Sequence, residues 1–251
     1  LGRRDGYVIV TVAWLAFSLF GMLPFYLSGY IPSITNAFFE TMSGFSSTGA
    51  TILNDIEKLP HGLLFWRSMT QWIGGLGIVF FTIAVLPIFG VGGIQVFAAE
   101  ASGPTHDKVH PRIGITAKWI WGIYAGLTGT LIILLMFGGM NIFDSICHAF
   151  ATTSTGGFST KQASIEYYHS PYIEYVISGI NFTLLLLFVN GKLKKFVHDA
   201  ELKWYFWSVT GFTIVIAAIL YYNSSMGVEE AFRKSLFQVA SLHTSTGFAT
   251  A

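Results

Sequence analysis

The sequence predicts an all-α protein that crosses a membrane several times. Of its 251 residues, 53% are hydrophobic and 11% are charged, whereas about 25% of the residues are charged in an average soluble domain. Long uncharged stretches separate the charged residues, and a motif that ends in Ser-Thr-Gly occurs three times. Low charge and internal repetition together are typical of polytopic membrane proteins built from repeats.

The charge balance and the cysteine content exclude other classes of protein. The 14 Lys and Arg against 13 Asp and Glu give a net charge of +1, so no basic excess is available to bind a nucleic-acid backbone. Cys147 is the only cysteine in the sequence, which excludes an intrachain disulfide and a cysteine-based zinc site. The sequence therefore predicts a lipid bilayer, and no nucleic acid, as a partner.

Five stretches without charged residues are candidates for membrane-spanning helices, which need about 20 apolar residues. They are Gly6–Phe39, Ser68–Ala99, Trp119–Phe143, Tyr175–Gly191 and Trp204–Val228. The first stretch is too long for a signal peptide and lacks a small-residue cleavage site after a short apolar core. We therefore interpret it as a retained span.

The repeated motif ends three segments that align without gaps, 38–49, 145–156 and 236–247. Their final glycines lie about 100 residues apart, which is a longer period than that of solenoid repeats. Each copy follows a long apolar stretch, and another apolar stretch follows the first two copies. The alignment therefore predicts a large repeat unit that contains two long helices.

Each motif follows a short amphipathic segment that we predict to be helical. The segments are Asn36–Ser46, Phe143–Thr153 and Glu229–Thr244. At about 1.5 Å per residue they are too short to cross a ~30 Å hydrocarbon core, so we expect them to enter the membrane and turn back. Asp144 and the pair Glu229/Glu230 lie where helix N-termini are expected, so the partially negative C-termini point towards the turns and favour a cation there.

Three glycine-containing turns at membrane depth predict an ion conduction pathway, because their carbonyl oxygens can replace the hydration shell of an ion. The alternatives are an ordinary loop composition and a serine or threonine hydrolase with His148 and His243 as bases. The three aligned copies argue against the first, and the lack of a recurring acid argues against the second. We interpret Gly74, Gly75 and Gly77 as a helix-packing surface, since no nucleotide-binding motif surrounds them.

Two charged residues near the first motif have open interpretations. Glu40 is the acidic residue that lies well inside a short segment, and the gapless alignment places Cys147 and Gln238 at the equivalent positions. Its carboxylate either supports the turn from behind or attracts a cation directly. Arg67 lies at the edge of a long uncharged stretch, where it either snorkels to the lipid headgroups or pairs with Glu40.

The distribution of basic residues predicts the orientation of the turns. If the turns face one side, nine basic residues lie on the opposite side: Arg3, Arg4, Lys108, Arg112, Lys118, Lys192, Lys194, Lys195 and Lys203. Five lie on the side of the turns: Lys58, Arg67, Lys161, Arg233 and Lys234. The positive-inside rule therefore places the turns on the extracytoplasmic side.

These segments resemble the TrkH/TrkG/KtrB family of potassium uptake proteins, and most closely its TrkH branch. The resemblance is carried by residues 37–51 (AFFETMSGFSSTGAT), 65–78 (FWRSMTQWIGGLGI) and 154–160 (STGGFST). It implies an all-α polytopic membrane protein in which helix–pore-loop–helix repeats surround one pseudo-fourfold, potassium-channel-like ion pore. It also implies that K⁺ is the transported ion, with no other cofactor and no enzymatic activity.

The resemblance assigns a selectivity filter and a division into repeats. The implied filter residues are Ser47, Thr48, Gly49, Ala50, Ser154, Thr155, Gly156, Gly157, Ser245, Thr246, Gly247 and Phe248, of which Gly49, Gly156 and Gly247 are the shared glycines. Repeat 1 is expected over 1–100 (helix 6–30, pore helix and filter 34–51, helix 62–88). Repeat 2 is expected over 101–195 (helix 113–138, pore helix and filter 143–160, helix 172–190), and a partial repeat 3 over 196–251 (helix 203–222, pore helix and filter 229–250).

The resemblance further implies a homodimer in the bacterial cytoplasmic (inner) membrane, regulated by a cytoplasmic TrkA-type nucleotide-binding ring that contacts 103–118 and 192–203. A sodium-coupled or weakly selective cation transporter of the KtrB kind and a membrane scaffold that does not transport are alternatives. Because family members contain four repeats and this sequence contains about two and a half, we expect it to be part of a longer chain. The outer helix of repeat 3, all of repeat 4 and an N-terminal helix pair are then missing.

Overall fold

A computed structural model gives the fold and describes residues 3–77, 113–179, 200–224 and 226–250. The regular elements over these ranges are all helical, which confirms the predicted all-α class. In chain order the α-helices are α1 Arg3–Gly21, α2 Leu23–Leu27, α3 Ile34–Phe45, α4 His61–Gly75, α5 Ile113–Phe137, α6 Ile142–Thr153, α7 over 171–179, α8 Ala200–Asn223 and α9 Val228–His243. Two 3-10 turns, Ile56–Lys58 and Ser164–Tyr168, follow α3 and α6.

Short helices follow long ones in the order that the repeated motif predicts. The short helices α3, α6 and α9 contain 12, 12 and 16 residues, so at ~1.5 Å per residue each is shorter than a ~30 Å hydrocarbon core. Each packs against the long helix that precedes it: α3 on α1, α6 on α5 and α9 on α8. Helix α4 packs on both α3 and α6, and it thereby bridges the first two short helices.

The first expected helix, over 6–30, is interrupted in the structure. Helix α1 ends at Gly21, and α2 begins at Leu23 with Pro24 in its first turn, where the missing N–H of proline is tolerated. Gly21 allows α1 to approach α3 closely, because a Cβ atom at this position would lie 2.7 Å from the ring of Phe45 and 2.9 Å from Thr41. The interruption therefore falls where the long helix contacts the short one.

One part of α8, Trp204–Asn223, is long and apolar enough to cross a membrane, within the ranges that the structure describes. Two further apolar helical segments, Thr11–Leu27 and Trp121–Phe137, are shorter. The side chains of Trp204 and Trp207 on α8 are 76% and 68% exposed, as expected for a surface that faces lipid. The predicted spans Ser68–Ala99 and Tyr175–Gly191, and the expected helices 62–88 and 172–190, extend outside the described residues.

Two apolar clusters hold the short helices in place. One includes Phe25, Ala37 and Leu64 and joins α2, α3 and α4. The other joins α5, α6, α7 and α9. Phe158 and Phe248, which directly follow glycines of the second and third motifs, belong to this second cluster and are fully buried. The core therefore anchors the chain immediately after two of the three turns.

Loss of the side-chain cap of α6 should lower the stability of the protein. The Asn141 side chain accepts a hydrogen bond from the N–H of Asp144 at 2.8 Å and donates another to its carboxylate at 2.8 Å. We expect Asn141→Ala to lower the free energy of unfolding by about 1 kcal/mol, measured as a lower midpoint of thermal unfolding. Asn36→Ala, in the first turn of α3, is the matched control, and an equal effect of both variants would contradict the assignment.

Candidate ion-conduction site

The three Ser-Thr-Gly turns leave their short helices in the same way. Each helix ends in a Schellman motif, in which a left-handed residue and two backward hydrogen bonds close the last turn. The left-handed residues are Ser47, Thr155 and Ser245, with φ of 52°, 52° and 58°. The residue after each of them donates its N–H to a carbonyl of its own short helix at 2.8 to 3.0 Å. Since the N–H and C=O of a trans peptide point in opposite directions, the carbonyls of the left-handed residues point away from the helices.

This geometry corrects the predicted alignment of the second copy by one residue. Gly157, and not Gly156, shares the φ of 75° that Gly49 and Gly247 adopt. Gly156 instead occupies the position of Thr48, because its N–H makes the equivalent bond to the short helix. The equivalence of Gly156 with Gly49 and Gly247 is therefore wrong.

The gapless alignment fails because it matches residue types, and the same residue types adopt different backbone conformations in the two turns. Thr155 takes the left-handed position of Ser47, and Ser154 is the C-cap residue of α6. The pairs Gly157-Phe158 and Gly247-Phe248 are the sequence signal that gives the observed register. The segment of the second turn that corresponds to Ser47–Ala50 is therefore 155–158.

The turns lie side by side, with a glycine of the first against a carbonyl of the second and a glycine of the second against a carbonyl of the third. A Cβ atom on Gly49 would overlap the carbonyl oxygen of Gly156, and one on Gly157 would overlap the carbonyl oxygen of Thr246. Gly156 and Thr246 occupy equivalent positions, so the same contact recurs from turn one to turn two and from turn two to turn three. Head-to-tail contacts between equivalent atoms relate successive turns by one repeated operation, which is a rotation about a shared axis when the turns close into a ring. Within the described ranges, no atom lies within 4 Å of the corresponding point on Gly247.

Several carbonyl oxygens of these turns accept no hydrogen bond from the described residues. They are the carbonyls of Ser47, Thr48, Gly49, Thr155, Gly157, Phe158, Ser245, Thr246 and Gly247. Most of these residues are half-buried or exposed, so their carbonyls are accessible to water or to an ion. A row of such unpaired carbonyls can coordinate a cation that has lost its water.

Serine hydroxyl groups fix the far ends of two turns. The Ser43 hydroxyl donates to the carbonyl of Ala50 at 2.6 Å, and the Ser241 hydroxyl donates to the carbonyl of Phe248 at 2.8 Å. Both serines lie on the short helix of their own turn. The last of the predicted filter carbonyls in turns one and three are therefore paired with protein.

A polar side chain on each short helix supports the chain that follows its turn. The Glu40 carboxylate accepts hydrogen bonds from the Thr51 hydroxyl at 2.8 Å and from the Ile52 N–H at 3.0 Å. In the corrected register its equivalents are His148 and Gln238. The structure therefore favours the supporting role of Glu40, and it replaces Cys147 by His148 at the equivalent position.

The equivalents make the same kind of contact. His148 Nε2 lies 2.9 Å from the Ser159 hydroxyl, and the Gln238 amide donates to the Thr250 hydroxyl at 3.2 Å. In all three copies the bond crosses from the short helix to the chain beyond the glycine. This recurrence shows that the support is part of the repeat itself.

The two histidines considered as hydrolytic bases have structural partners. His148 is fully buried, and its Nδ1 lies 2.8 Å from the main-chain carbonyl of Asp144, so Nδ1 carries the proton and Nε2 accepts from Ser159. The carboxylate of Asp144 accepts a hydrogen bond from the Thr160 hydroxyl at 2.6 Å, and the His148 imidazole contacts the main chain of Asp144, not its carboxylate. His243 contacts the hydroxyl of Ser208 on α8 at 3.0 Å.

Comparison with known proteins identifies the family. The TrkH family model, described as cation transport protein, matches residues 1–251. The chain is 42% identical over 266 residues to the Trk system potassium uptake protein TrkH of Escherichia coli (strain K12), covering 100% of this chain and 54% of that protein. The chain belongs to the TrkH family. The family predicted from the sequence is thereby confirmed.

Another curated relative and a crystal structure support the assignment of this chain to the TrkH family. It is 34% identical over 259 residues to the Trk system potassium uptake protein TrkG of Escherichia coli (strain K12), covering 100% of this chain and 53% of that protein. The crystal structure of the potassium transporter TrkH from Vibrio parahaemolyticus matches with a TM-score of 0.81 and 33% identity, over 100% of this chain and 53% of that chain. The chain spans about half the length of the relatives it matches.

In this TrkH-family chain, one face of α4 joins the first turn to the second. Arg67 Nε lies 2.7 Å from the Glu40 carboxylate, and its Nη1 donates to the carbonyl of Ser159 at 3.0 Å. Pairing with Glu40 is therefore confirmed. The snorkelling alternative is wrong, because the Arg67 side chain is 2% exposed.

Gly74 and Gly75, at the end of α4, serve as a packing surface, as predicted, whereas Gly77 follows the helix and adopts a φ of 75°. A Cβ atom on Gly74 would overlap the carbonyl of Phe45, and one on Gly75 would lie 2.5 Å from the Cβ atom of Ser154. The C-terminal end of α4 thus fits between the first and second turns. Gln71 lies on the same face, and no local feature of the sequence predicts its contacts with the second turn.

Proposed function

We propose that this chain supplies three of the four turns of a potassium-selective filter in a potassium uptake protein. The observation that carries the proposal is the repeated contact between turns, in which Gly49 meets Gly156 and Gly157 meets Thr246. Two steps of one rotation, lined by unpaired carbonyls, are what a pore built from covalently linked repeats requires. The names of the relatives, potassium uptake proteins, support K⁺ as the cation.

In the proposed mechanism, K⁺ leaves its water shell and is coordinated by backbone carbonyls. The proposed coordinating segments are Ser47–Ala50, residues 155–158 and Ser245–Phe248, with Ser154 assigned to the cap of α6. The partially negative C-termini of α3, α6 and α9 add favourable potential for a cation at the turns. The proposal divides the chain into the repeats 1–100, 101–195 and 196–251.

The proposed pseudo-fourfold ring contains one further turn, outside this chain. In the proposed ring, a carbonyl of this further turn lies against Gly247 in the same way as the carbonyl of Thr246 lies against Gly157. This placement follows from applying the same rotation a third time. A ring of four such turns matches the four loops that form the filter of K⁺ channels.

The remaining proposals concern orientation and partners. We place the turns on the extracytoplasmic side of the bacterial cytoplasmic membrane, because the opposite side carries more basic residues. A homodimer and a TrkA-type nucleotide-binding ring are proposed on family grounds. The contact loops proposed for that ring, 103–118 and 192–203, lie largely outside the described residues.

Flux measurements on the intact protein in proteoliposomes test the proposed function. We expect K⁺ uptake to exceed Na⁺ uptake and to continue without sodium on either side of the membrane. Uptake that requires a sodium gradient would assign the protein to the KtrB kind instead. If the vesicles take up neither ion under any gradient, the proposed transport function is contradicted and the protein is a membrane scaffold.

A further inference from the structure

We infer that Gln71 determines the ion selectivity of the filter by standing in for a side chain that the second turn lacks. The inference rests on the proposed function, because it concerns the same three turns. The corrected register places Thr48, Gly156 and Thr246 at one equivalent position. Two of the turns thus carry a threonine where the second carries a glycine.

In turns one and three the threonine ties the turn to its own short helix. The hydroxyl oxygens of Thr48 and Ser46 lie 2.7 Å apart, and those of Thr246 and Thr244 lie 2.8 Å apart. The Ser46 hydroxyl also lies 2.7 Å from the carbonyl of Met42, to which it must donate. The proton between Ser46 and Thr48 therefore comes from Thr48.

The side chain of Gln71 occupies the corresponding space in the second turn. A Cβ atom on Gly156 would overlap Cδ of Gln71 and would lie 2.6 Å from its Nε2 and 2.7 Å from its Oε1. The φ of Gly156 is not positive, so the backbone itself would admit a side chain there. The nearest obstacle is therefore the amide of Gln71.

This amide clamps the second turn at two points. Gln71 Nε2 donates to the carbonyl of Gly156 at 2.6 Å, and the N–H of Phe158 donates to Gln71 Oε1 at 3.1 Å. Gln71 is fully buried. All three turns bond to their own short helices through the main chain, but the side-chain contact of the second turn runs to α4, whereas those of Thr48 and Thr246 run to their own short helices.

The clamp changes the ligand that this turn offers to an ion. The carbonyl of Gly156 carries a hydrogen bond, while those of Thr48 and Thr246 accept none from the described residues. The same Gly156 oxygen lies against Gly49, so the amide also sets the separation between turns one and two. Selectivity between K⁺ and Na⁺ depends on the spacing and field strength of such carbonyls.

Removing the amide should therefore lower selectivity. For Gln71→Met, which is similar in size and makes neither hydrogen bond, we expect the ratio of K⁺ to Na⁺ uptake to fall about fivefold, equivalent to one net hydrogen bond. Gln71→Glu keeps an acceptor for Phe158 but places a second oxygen against the carbonyl of Gly156, so its ratio should fall further. Gln162→Met removes an amide from an exposed loop and should leave the ratio unchanged.

A paired substitution tests whether Gln71 fills the missing side-chain position. Gly156→Ala alone should lose uptake, and Gly156→Ala combined with Gln71→Ala should regain it because the overlapping atoms are gone. Gly49→Ala combined with Gln71→Ala is the matched control. It should stay inactive, since the Cβ atom of that variant meets main-chain atoms of Gly156.

The outcomes separate this inference from the proposed function. If the unaltered protein transports K⁺ selectively but Gln71→Met and Gln71→Glu keep its K⁺ to Na⁺ ratio, the role of Gln71 is overturned and the filter stands. The same holds if Gly156→Ala is equally inactive with and without Gln71→Ala. If the unaltered protein does not transport K⁺, the proposed function fails first. A purely structural role of Gln71 would lower the thermal unfolding midpoint without changing the ratio, and would also overturn the inference.

Discussion

Gly157→Ala should reduce potassium uptake by the intact protein on the order of 100-fold. The new Cβ atom would overlap the carbonyl oxygen of Thr246, and the φ of 75° at this position disfavours any side chain. One of the two turns must therefore move by about 1 Å, a displacement that costs precisely positioned sites roughly two orders of magnitude in rate. Gly49→Ala should behave alike, because its Cβ atom would overlap the carbonyl of Gly156.

Gly126→Ala is the control for these variants. Gly126 lies on α5, a Cβ atom there meets no atom within 4 Å, and alanine favours a helix. Uptake of ⁸⁶Rb⁺ into proteoliposomes, with thermal unfolding to confirm folding, measures the effect. Normal uptake by folded Gly157→Ala protein would contradict the placement of the turns around an ion path.

Gly247→Ala extends the same prediction to the closure of the ring. No described atom lies near its Cβ position, so within this chain the substitution causes only the strain of a positive φ. A fourth turn against Gly247 would make this variant as inactive as Gly157→Ala. A much milder loss of uptake would show that no carbonyl lies there and would contradict the pseudo-fourfold ring.

The repeats and the short helices could be predicted because their signals are local. The spacing of charged residues predicted a span within Trp119–Phe143, and helix α5, Ile113–Phe137, covers most of that stretch. Acidic residues in the first turn of α6 and α9, Asp144 and the pair Glu229/Glu230, lie where the helix dipole favours them. These features depend on residues that are neighbours in sequence.

The register of the second turn and the contacts of α4 could not be predicted from such signals. A left-handed position accepts Ser47, Thr155 or Ser245, so matching letters do not show which residue adopts that conformation. Gln71 fills a gap beside a glycine 85 residues further along the chain. Only the tertiary fold places the amide of Gln71 beside Gly156, where a side chain is missing.

Arg67→Met should destabilise the protein by about 3–5 kcal/mol, because it leaves the buried carboxylate of Glu40 without its cation. Glu40 is fully buried and Arg67 is 2% exposed, so water cannot replace the lost partner. The substitution also removes the hydrogen bond to the carbonyl of Ser159 and the contact of the guanidinium with the ring of Phe158, whose centroid lies 3.5 Å away. The midpoint of thermal unfolding of the purified protein measures the loss.

Lys58→Met is the matched control, since it removes a cation of similar length from an exposed pair. Lys58 Nζ lies 2.7 Å from the Asp55 carboxylate, which raises the pKa of Lys58 by a hydrogen bond and by its charge. Solvent screens this pair, so we expect no measurable change in the unfolding midpoint. An equal loss in both variants would contradict the role of burial.

A double-mutant cycle then separates the ion pair from the packing of its side chains. Glu40→Met together with Arg67→Met removes both charges, so the double variant should be more stable than the sum of the two single losses predicts. The hydrogen bonds of Glu40 to Thr51 and Ile52 are lost as well, so the double variant should remain less stable than the unaltered protein.

Because Arg67 bonds to both Glu40 and Ser159, loss of the pair should also lower the selectivity for K⁺ over Na⁺ by separating the first turn from the second. Additive losses of stability, with K⁺ to Na⁺ selectivity unchanged, would show that Arg67 does not couple the two turns.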